Sequence, residues 1–532
     1  MSDQREAIRS NAKYLRNVRP IDPEEICEYV AGNPHPAVVR QHLREDAAAL
    51  GLIERDDGTF VPVSDEPVRP LQGPVERLPA DYERRLEDLL ADRYGPNWDE
   101  GASGDLLRST IRRFKAAYLE GRPVEYDDDV AAGYAIYHLP GYYAAVQYAL
   151  DDLADRGLLG RNLRVLDIGA GVGGPALGLC DYLPDDALLE YHAVEPSAAA
   201  DVLEDLLGAT GRNVHATVHR TTAEAFDPSD LGAGGDGAGD EFDPTAPDDG
   251  FDLVLACNVL SELDEPAAVA RSVLETLAPE GTFLAMAPAD KHTSVDLRDI
   301  ECDLEGQRLW SQEEVISDPE SLGEAAARRR GAVTVYGPAV RLWPGETPSD
   351  RGWSFDVRPD LAVPGFQRRL DEAAPADDDE HAPGEFVNVD VQFSYSMLRL
   401  DGRRRIEMSL ETSEWATMAE MDRHVTNRID LVAAKLSRSL SGEGDGSDAT
   451  GGGGRGDSGG GGRANPLFKI SDGSEAVDHY AVVTNETALN RPLLEADYGD
   501  ICSFEGALAL WNDDEEAYNL VIDEETIVDR IA

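Results

Sequence analysis

The sequence predicts an α/β protein with a Rossmann-like parallel sheet, a winged-helix-like domain before it and a small β-barrel-like domain after it. Three observations predict the sheet. The apolar run Val165 to Ile168 ends in a glycine-rich turn ahead of a helix-compatible segment, and a second buried run, Leu189 to Val194, closes on the acid Glu195. Strand-like and helix-like segments then alternate up to Ala287, which is the pattern of strands joined by crossover helices.

The glycine turn, residues 169–174, is the first candidate binding element. A turn between a strand and a helix N-terminus offers backbone N–H groups and open space to a polar ligand. Such a turn is weak evidence alone, because tight turns use glycine for its backbone freedom. The acid that closes the second strand of a Rossmann-like sheet hydrogen-bonds the ribose of a nucleotide, and Glu195 stands in that place.

Two later segments extend this site. A third strand near Val214 to Arg220 is followed by Thr221 to Asp227, which fits a loop over an adenine. Phe251 to Leu263 predicts a fourth strand with polar groups at its C-terminal end, where open α/β sheets bind ligands. Asn258 lies at that end.

This part of the chain resembles the class I S-adenosylmethionine-dependent methyltransferases. The resemblance rests on the motif Asp167-Ile-Gly-Ala-Gly-Val-Gly173, on Glu195 and on the turn Ala278-Pro-Glu-Gly281. The alternative is a glycine turn in another nucleotide-binding sheet. The resemblance implies S-adenosyl-L-methionine as the cofactor and Asn258 as the candidate catalytic residue, facing the methyl group. The cofactor-binding residues that it implies are Asp167, Gly169, Ala170, Gly171, Gly173, Glu195, Pro196, Glu224 and Asn258.

A narrower resemblance rests on Tyr-x-x-x-x-Leu-Pro-x-x-Tyr-Ala-Ala at 134–145, the glycine motif, and Asn-Val-Leu-Ser-Glu-Leu at 258–263. Over about residues 130–400 the chain is similar to the methyltransferase-like proteins associated with mitochondrial small-ribosomal-subunit assembly and their prokaryotic relatives. This implies the small ribosomal subunit or its rRNA as partner. The Tyr and His side chains of 134–147 could cover cofactor or substrate, although an aromatic stripe at helical spacing is more often core.

One departure from that family concerns metal binding. The family carries a cysteine-rich segment suited to a metal or iron–sulfur cluster, whereas the equivalent segment here, Leu342 to Phe355, has no cysteine. We therefore predict no metal site. Trp343, Arg351 and Trp353 in this segment either pack a loop or stack on bases, and we favour packing.

Composition sets further expectations. The chain carries 104 Asp and Glu against 48 Lys and Arg, a net charge of -56 spread along its length, which suggests a halophilic source. In molar salt the Debye length falls to about 3 Å, so this charge does not exclude an RNA partner. Five scattered cysteines without a C-x-x-C pair predict reduced, mostly buried thiols. No apolar signal core and no long apolar run occur, so we predict a soluble, cytoplasmic monomer without a membrane partner.

Both ends of the chain predict smaller domains. A predicted helix over residues 4–17 places Arg5, Arg9, Lys13 and Arg16 on one face. The further helices and the hairpin at 51–63 that follow it suggest a winged-helix domain, which binds either nucleic acid or another protein. Ser413 to Leu440 predicts a long helix with late basic residues. Short strands after it suggest an OB-like barrel, a third candidate RNA surface. The predicted domains are a winged helix (1–65), a cofactor-binding domain (80–300, insertion 227–250), an α/β extension (301–438), a Gly/Ser-rich linker (439–464) and a barrel (465–532).

Two functions from different classes follow. The chain is an enzyme that methylates small-subunit rRNA, or it is a non-catalytic RNA-binding or ribosome-assembly factor that keeps the methyltransferase fold. A weaker third is a small-molecule or protein methyltransferase. Cys257 stands near the position of a pyrimidine-C5 nucleophile, but no preceding proline presents it, and we interpret it as a buried strand cysteine.

Overall fold

The computed structural model describes residues 2–227, 231, 250–310, 324–350, 353–375, 378, 381–441 and 465–532. Most of the predicted insertion (227–250), most of the predicted linker (439–464) and Arg351 lie outside the described residues. The chain divides into two compact units. The first comprises Met1–Cys257, Thr276–Ala278 and Arg358–Val391; the second comprises Asn258–Glu275, Pro279–Val357 and Gln392–Ala532.

In chain order the α-helices of the described residues are α1 (Ser2–Leu15), α2 (Pro23–Tyr29), α3 (Pro36–Glu45), α4 (Ala47–Leu50), α5 (Ala80–Tyr94), α6 (Gly101–Leu119), α7 (Asp128–Asp155), α8 (Gly174–Tyr182), α9 (Ala199–Leu207), α10 (Pro266–Leu274), α11 (Lys291–Leu304), α12 (Glu324–Arg329), α13 (Gly365–Glu372) and α14 (Arg491–Glu495). The strands are β1 (Leu52–Glu54), β2 (Phe60–Pro62), β3 (Asn162–Ile168), β4 (Leu188–Val194), β5 (Val214–His219), β6 (Phe251–Cys257), β7 (Leu277–Pro288), β8 (Thr334–Gly337), β9 (Asp356–Arg358), β10 (Val391–Arg399), β11 (Arg428–Lys435), β12 (Leu467–Ser471), β13 (His479–Val483), β14 (Ile501–Asn512), β15 (Ala517–Ile522) and β16 (Ile527–Arg530).

The N-terminal part of the first unit has helices followed by a hairpin, as predicted. The Asp22 side chain caps α2 by accepting from the Glu24 N–H, and β1 pairs antiparallel with β2 around an Asp-Gly turn. Ile21 forms an isolated bridge with Phe60, which ties the start of α2 to the hairpin. The winged-helix assignment itself stays a prediction.

The centre of the first unit is a parallel sheet in the order β5-β4-β3-β6, which confirms the four predicted strands. Strands β3 and β4 are fully paired, with Leu166 opposite His192. All side chains of β6 except Asp252 are buried, as expected for a parallel strand covered on both faces. Neighbouring parallel strands end at the same edge, so the loops that follow β3, β4 and β5 lie together.

Helix α8, which begins directly after the glycine turn, packs backbone to backbone against α7. A methyl group on Gly174 would lie 2.9 Å from the Tyr142 Cβ atom, and one on Gly178 would lie 2.5 Å from the Val146 Cγ1 atom and against the Tyr143 carbonyl oxygen. Gly174 and Gly178 are one helical turn apart, so together they form the flat face that α7 needs.

A buried glutamine supports α7 at the point where its hydrogen-bond ladder is broken. Pro140 lies inside the helix and has no N–H group, so the carbonyl of Ile136 lacks its usual donor. The buried Gln367 amide, on α13, donates to that carbonyl at 2.8 Å and also bonds the backbone of Asn388. The proline and its substitute donor therefore fix the course of the middle of α7.

The second unit contains an antiparallel group of strands and a closed barrel. Strand β10 pairs with β7 on one side and with β8 on the other. The barrel ring runs β11-β12-β13-β15-β14 and closes where β14 pairs with β11; β13 and β15 are parallel, and β16 adds to β14. A small β-barrel near the C-terminus is thus confirmed, with an apolar interior that includes Leu431, Phe504 and Leu520.

The predicted long helix over Ser413 to Leu440 is wrong. A short 3-10 helix at Met418–His424 is followed by strand β11, so the barrel begins before residue 465. Leu431, Ala433 and Ala434 are good helix formers, but alternate residues of β11, Ile429, Leu431 and Ala433, face the barrel core. Pairing with β12 and β14, both distant in sequence, overrides the local propensity.

We expect Gly178→Ala to lower the free energy of unfolding by about 1–3 kcal/mol, because the added methyl group overlaps α7 and forces the two helices apart. The matched control is Gly211→Ala, since no atom lies within 4 Å of a methyl group there and its backbone is not left-handed. Urea unfolding curves measure both variants. Equal stability of the two variants would contradict the close packing of α7 on α8.

Candidate functional site

The glycine turn after β3 uses a left-handed backbone at three positions. Gly169, Gly171 and Gly173 have φ angles of 67°, 55° and 93°, which residues with a side chain rarely adopt. A methyl group on Gly173 would lie 2.6 Å from the Leu203 Cδ1 atom, whereas one on Gly171 would meet only the Gly169 carbonyl oxygen, at 4.0 Å. Gly171 therefore leaves open space beside the turn.

Several backbone N–H groups of this turn are already bonded within the protein. Those of Gly169 and Ala170 donate to the Val194 carbonyl at 2.9 and 3.3 Å, and that of Gly171 donates to Glu195 Oε2 at 2.9 Å. A phosphate-binding turn needs such groups free to face the anion. The arrangement therefore favours a ligand without phosphate at this turn.

Glu195 closes β4 and links two loops, as its predicted position requires. Its buried carboxylate accepts from the Gly171 N–H through Oε2 and from the Ser197 N–H and hydroxyl through Oε1, at 2.9 and 2.5 Å. Its own N–H donates to the His219 carbonyl at the end of β5. A carboxylate oxygen can accept two hydrogen bonds, so Oε2 retains capacity for a ligand hydroxyl.

Asp167, the last acid of β3 before the turn, is fully buried. The Tyr191 hydroxyl donates to its Oδ2 atom, but its Oδ1 atom has no hydrogen-bond partner among the described residues. Burial raises the pKa of this carboxyl to about 7, and the charge of Glu195 adds to the shift. An unpaired buried carboxylate oxygen next to a glycine turn is suited to a ligand that brings a positive charge or a donor.

The other predicted site residues are more exposed than Asp167 and Glu195. Pro196 and Glu224 are exposed on the loops after β4 and β5. Asn258 belongs to the second unit, where it is half-buried with φ at 60°, and its N–H donates to the Met286 carbonyl at 2.9 Å. The catalytic role of Asn258 stays a prediction.

Sequence reasoning missed the residues that hold the two acids. Tyr191 and Ser197 support Asp167 and Glu195, and only the short spacing between Glu195 and Ser197 was visible in the sequence. Tyr191 lies on β4 opposite Val165 of β3. Its contact with Asp167 therefore depends on the register of the two strands, which cannot be read from the sequence.

Several residues of the predicted basic surfaces are bonded within their own units. In the first unit Arg5 pairs with Asp46 at 2.8 Å, and Arg16 donates to the Leu50 carbonyl at 2.7 Å. In the second, Arg428 pairs with Asp523 at 2.7 Å. Lys435 of β11 is buried and donates to the Ala496 carbonyl.

The sequence interpretations of Cys257 and, among the residues of the 342–355 segment, of Trp343 as packed residues are confirmed. Cys257 is buried, and burial raises the pKa of its thiol well above the usual range, so it is not a ready nucleophile. The buried Trp343 donates from Nε1 to Asp472 Oδ2 at 2.8 Å, which fixes its loop to the barrel within the second unit.

Of the helices that the structure describes, none combines the length and the apolar character of a membrane span.

Three family models match parts of the chain. A methyltransferase domain matches residues 166–283, which includes the glycine turn and Glu195. The N-terminal domain model of a domain of unknown function (DUF8157) matches residues 5–56, and its C-terminal domain model matches residues 419–531. A search of the curated proteins finds no match. The chain therefore contains a domain with the methyltransferase fold, flanked by the two DUF8157 segments.

Solved structures give only a distant likeness. An S-adenosylmethionine-dependent methyltransferase from Clostridium acetobutylicum ATCC 824 is 14% identical, with a TM-score of 0.20, over 31% of this chain and 55% of that one. The mitomycin 7-O-methyltransferase MmcR is 15% identical, with a TM-score of 0.21, over 54% and 75%. An O-methyltransferase family protein from Burkholderia thailandensis is 14% identical, with a TM-score of 0.23, over 57% and 80%. The chain thus spans about half the length of the Clostridium protein, and these likenesses decide nothing about its substrate.

The raised pKa of Asp167 predicts a pH-dependent cost of stability. This carboxyl binds its proton more tightly in the folded chain than in the unfolded chain. Its contribution to the unfolding free energy of the wild type therefore falls by about 2 kcal/mol as the pH rises from 5 to 7. We expect Asp167→Asn to lack this loss, so that its unfolding free energy relative to wild type improves with pH. Urea unfolding at pH 5 and pH 7 measures the difference.

Tyr191→Phe is the companion variant. It removes the hydroxyl that stabilises the ionised carboxylate, so the loss on raising the pH should be larger than in the wild type. Parallel pH profiles for the wild type and Asp167→Asn would show that the pKa of Asp167 is not raised.

Proposed function

We propose that the domain containing β3 to β6 binds S-adenosyl-L-methionine and that the protein is a methyltransferase dependent on it. The observation that carries this proposal is the buried Oδ1 atom of Asp167, which has no partner among the described residues. It lies at the end of β3, where the N–H groups of Gly169 to Gly171 are already bonded within the protein. A cationic ligand without phosphate suits both features.

Each end of the cofactor has a matching residue. The carboxylate of Asp167 would accept from the ammonium group, which would also remove the cost of its buried charge. Glu195 would accept a ribose hydroxyl through Oε2, and the open space beside Gly171 would admit the chain that joins ammonium to ribose. When bound, the cofactor supplies a methyl group on a positively charged sulfur, so the residues of the protein mainly position the two reactants and exclude water.

For the acceptor we propose small-subunit rRNA, either as free RNA or within an assembling subunit. The resemblance of residues 134–145 and 258–263 supports this choice. The net charge of the chain is -56, and Arg5 and Arg428 are paired with Asp46 and Asp523, so long-range attraction to phosphates contributes little. Recognition would then depend on short-range contacts to exposed bases.

The alternative is an RNA-binding or assembly factor that keeps the fold without catalysis. One observation favours it: the carboxylate of Glu195 already accepts three hydrogen bonds from Gly171 and Ser197. The loops around the site are therefore complete without a ligand. This alternative holds with or without bound cofactor, so only the absence of cofactor binding would exclude the enzyme.

We expect the wild-type protein to bind S-adenosyl-L-methionine with micromolar affinity in molar KCl. Glu195→Ala and Asp167→Asn should each weaken binding about 10-fold or more, because each removes a charge-assisted hydrogen bond. Affinity should also fall as the pH drops below 7, where Asp167 takes up a proton. Isothermal titration calorimetry measures all three effects.

Asp181→Asn is the matched control for this titration. Asp181 is a carboxylate on α8 that binds the hydroxyls of Tyr82 and Tyr143, away from the glycine turn, so its variant should keep wild-type affinity. A folded wild type that binds no cofactor at any pH would overturn the enzyme and leave the scaffold alternative.

The acceptor is tested in cells that lack the gene. We expect labelled methyl groups to appear in 16S rRNA after complementation with the wild type but not with Gly169→Arg, because an arginine cannot adopt the left-handed backbone without strain and fills the turn. Ribosome profiles of the two strains provide the control for assembly. Equal methylation in the deletion strain would exclude this rRNA as the acceptor.

A further inference from the structure

Three polar side chains lie together on one face of the parallel sheet, where β4 pairs with the edge strand β5. Glu190 and His192 are two residues apart on β4, so their side chains point to the same face. His219 lies on β5 opposite Val194, which shares that face, so His219 is the diagonal neighbour of His192. The register of the two strands therefore brings Glu190, His192 and His219 together.

Two hydrogen-bond contacts join these side chains into a chain that we call the histidine relay: Glu190, His192 and His219. Glu190 Oε1 lies 3.2 Å from His192 Nε2, and His192 Nδ1 lies 3.1 Å from His219 Nε2. Both ring nitrogens of His192 are thus engaged, one by a carboxylate and the other by an imidazole. The relay runs from the middle of β4 to the last residue of β5.

The carboxylate at one end gives the relay a direction. Burial alone would raise the pKa of Glu190, but the hydrogen bond from His192 and the charge of Arg164, 3.6 Å away, outweigh burial and lower it. The ionised carboxylate can only accept, so Nε2 of His192 carries a proton. In a neutral imidazole the other nitrogen is then an acceptor, so His219 donates to His192 from Nε2.

Both imidazole rings are also held by aromatic neighbours. Phe251 packs edge-on against the His192 ring with 6.0 Å between the ring centres, and Phe226 packs edge-on against the His219 ring at 5.4 Å. The planes of the two imidazoles are 25° apart. Because Phe226 belongs to the loop that follows β5, the His219 ring also fixes part of that loop to the sheet.

The far end of the relay is bonded to the candidate cofactor site. The carbonyl of His219 accepts from the N–H of Glu195 at 3.0 Å and from the N–H of Thr221 at 2.9 Å. Glu195 is the acid that would hold the ribose, and Thr221 begins the loop that is predicted to lie over an adenine. The residue whose side chain ends the relay therefore also carries the backbone oxygen that positions Glu195.

Consecutive residues of β4 thus serve the candidate site from opposite faces of the sheet. Tyr191 donates to Asp167 on one face, and His192 contacts His219 on the other. Parallel strands that are covered on both faces are usually apolar, so packing alone would not require an ionised chain at this place.

We propose that Glu190, His192 and His219 are positioning residues for the cofactor. The relay orders the end of β5 in advance, so that Glu195 and the loop after His219 lose little conformational entropy when the cofactor binds. Each of the three side chains acts through the backbone of His219 rather than by touching the cofactor. This inference rests on the proposed function, because it gives the relay a part in binding S-adenosyl-L-methionine.

The test is calorimetric titration of the full-length protein with S-adenosyl-L-methionine in molar KCl at pH 8, where an ordinary imidazole is neutral. His192→Phe keeps an aromatic ring but removes both nitrogens, so affinity should fall about 3- to 10-fold, the effect of losing one neutral hydrogen bond. His192→Gln retains a carbonyl that can accept from His219 and an amide N–H that can donate to Glu190. It should restore affinity to within about 2-fold of wild type.

His215→Phe is the matched control. His215 lies on β5 opposite Glu190, on the face that carries the relay, but its Nε2 atom has no hydrogen-bond partner among the described residues. The same substitution there should leave affinity unchanged. Circular dichroism shows whether each variant is folded.

The protonated nitrogen of His219 provides a second readout, which a purely structural role of His192 would not change. Nitrogen-15 NMR of the histidine-labelled protein at pH 8 should place the His219 proton on Nε2 in the wild type. In His192→Phe the acceptor is lost, so the spectrum should show a mixture of the two tautomers.

The outcomes separate the relay from the proposed function. Wild-type affinity in His192→Phe, an equal loss in His192→Gln or His215→Phe, or a wild-type His219 proton on Nδ1 would each overturn the relay and leave the methyltransferase proposal standing. If the wild type binds no cofactor, both proposals fail.

Discussion

The close backbone contact between α7 and α8 is the constraint on which the candidate site depends. Because Gly174 and Gly178 have no side chain, α8 approaches α7 so closely that a methyl group at either position would not fit between the two helices. Helix α8 begins at the glycine turn, so this contact sets the position of the turn relative to α7. Pro140 would weaken a free helix, but the amide of Gln367 restores the missing hydrogen bond and lets the proline stay. Helix packing therefore contributes to the geometry of the site together with the loop contacts of Glu195.

Asp167 lowers the stability of the fold near neutral pH. A carboxylate with one unpaired oxygen in the core is unfavourable, and an asparagine or an apolar residue would serve the fold better. The cost becomes useful only when a cation reaches it. Glu195 differs, because Gly171 and Ser197 satisfy it before any ligand binds. Asp167 thus keeps one carboxylate oxygen without a partner among the described residues, whereas the carboxylate of Glu195 maintains the shape of the turn.

The sequence could predict those parts of the structure that local patterns determine. The glycine turn, the strand that ends on Glu195 and the parallel order around them follow from hydrophobic runs and turn residues. The nature of β11 could not be predicted, because its Leu and Ala residues favour a helix until β14 pairs with them. The ion-pair partners of the basic residues could not be predicted for the same reason. Arg428, for example, pairs with Asp523, which is 95 residues away in the sequence. Such contacts depend on register between distant segments.

The closure of the barrel by β11 and β14 also determines when this part of the chain can fold. Strand β11 has β12 and β14 as its neighbours, and Ala434 is opposite Ile501. During synthesis β11 emerges first and has no ring to join until β14 and β15 have left the ribosome. Its apolar residues Leu431, Val432 and Ala433 are exposed in the meantime. The nascent chain therefore carries an unpaired strand edge while the residues from β11 to the end of β15 are translated, which takes about 5–20 seconds at about 5–20 residues per second, and a chaperone can bind this edge during that time.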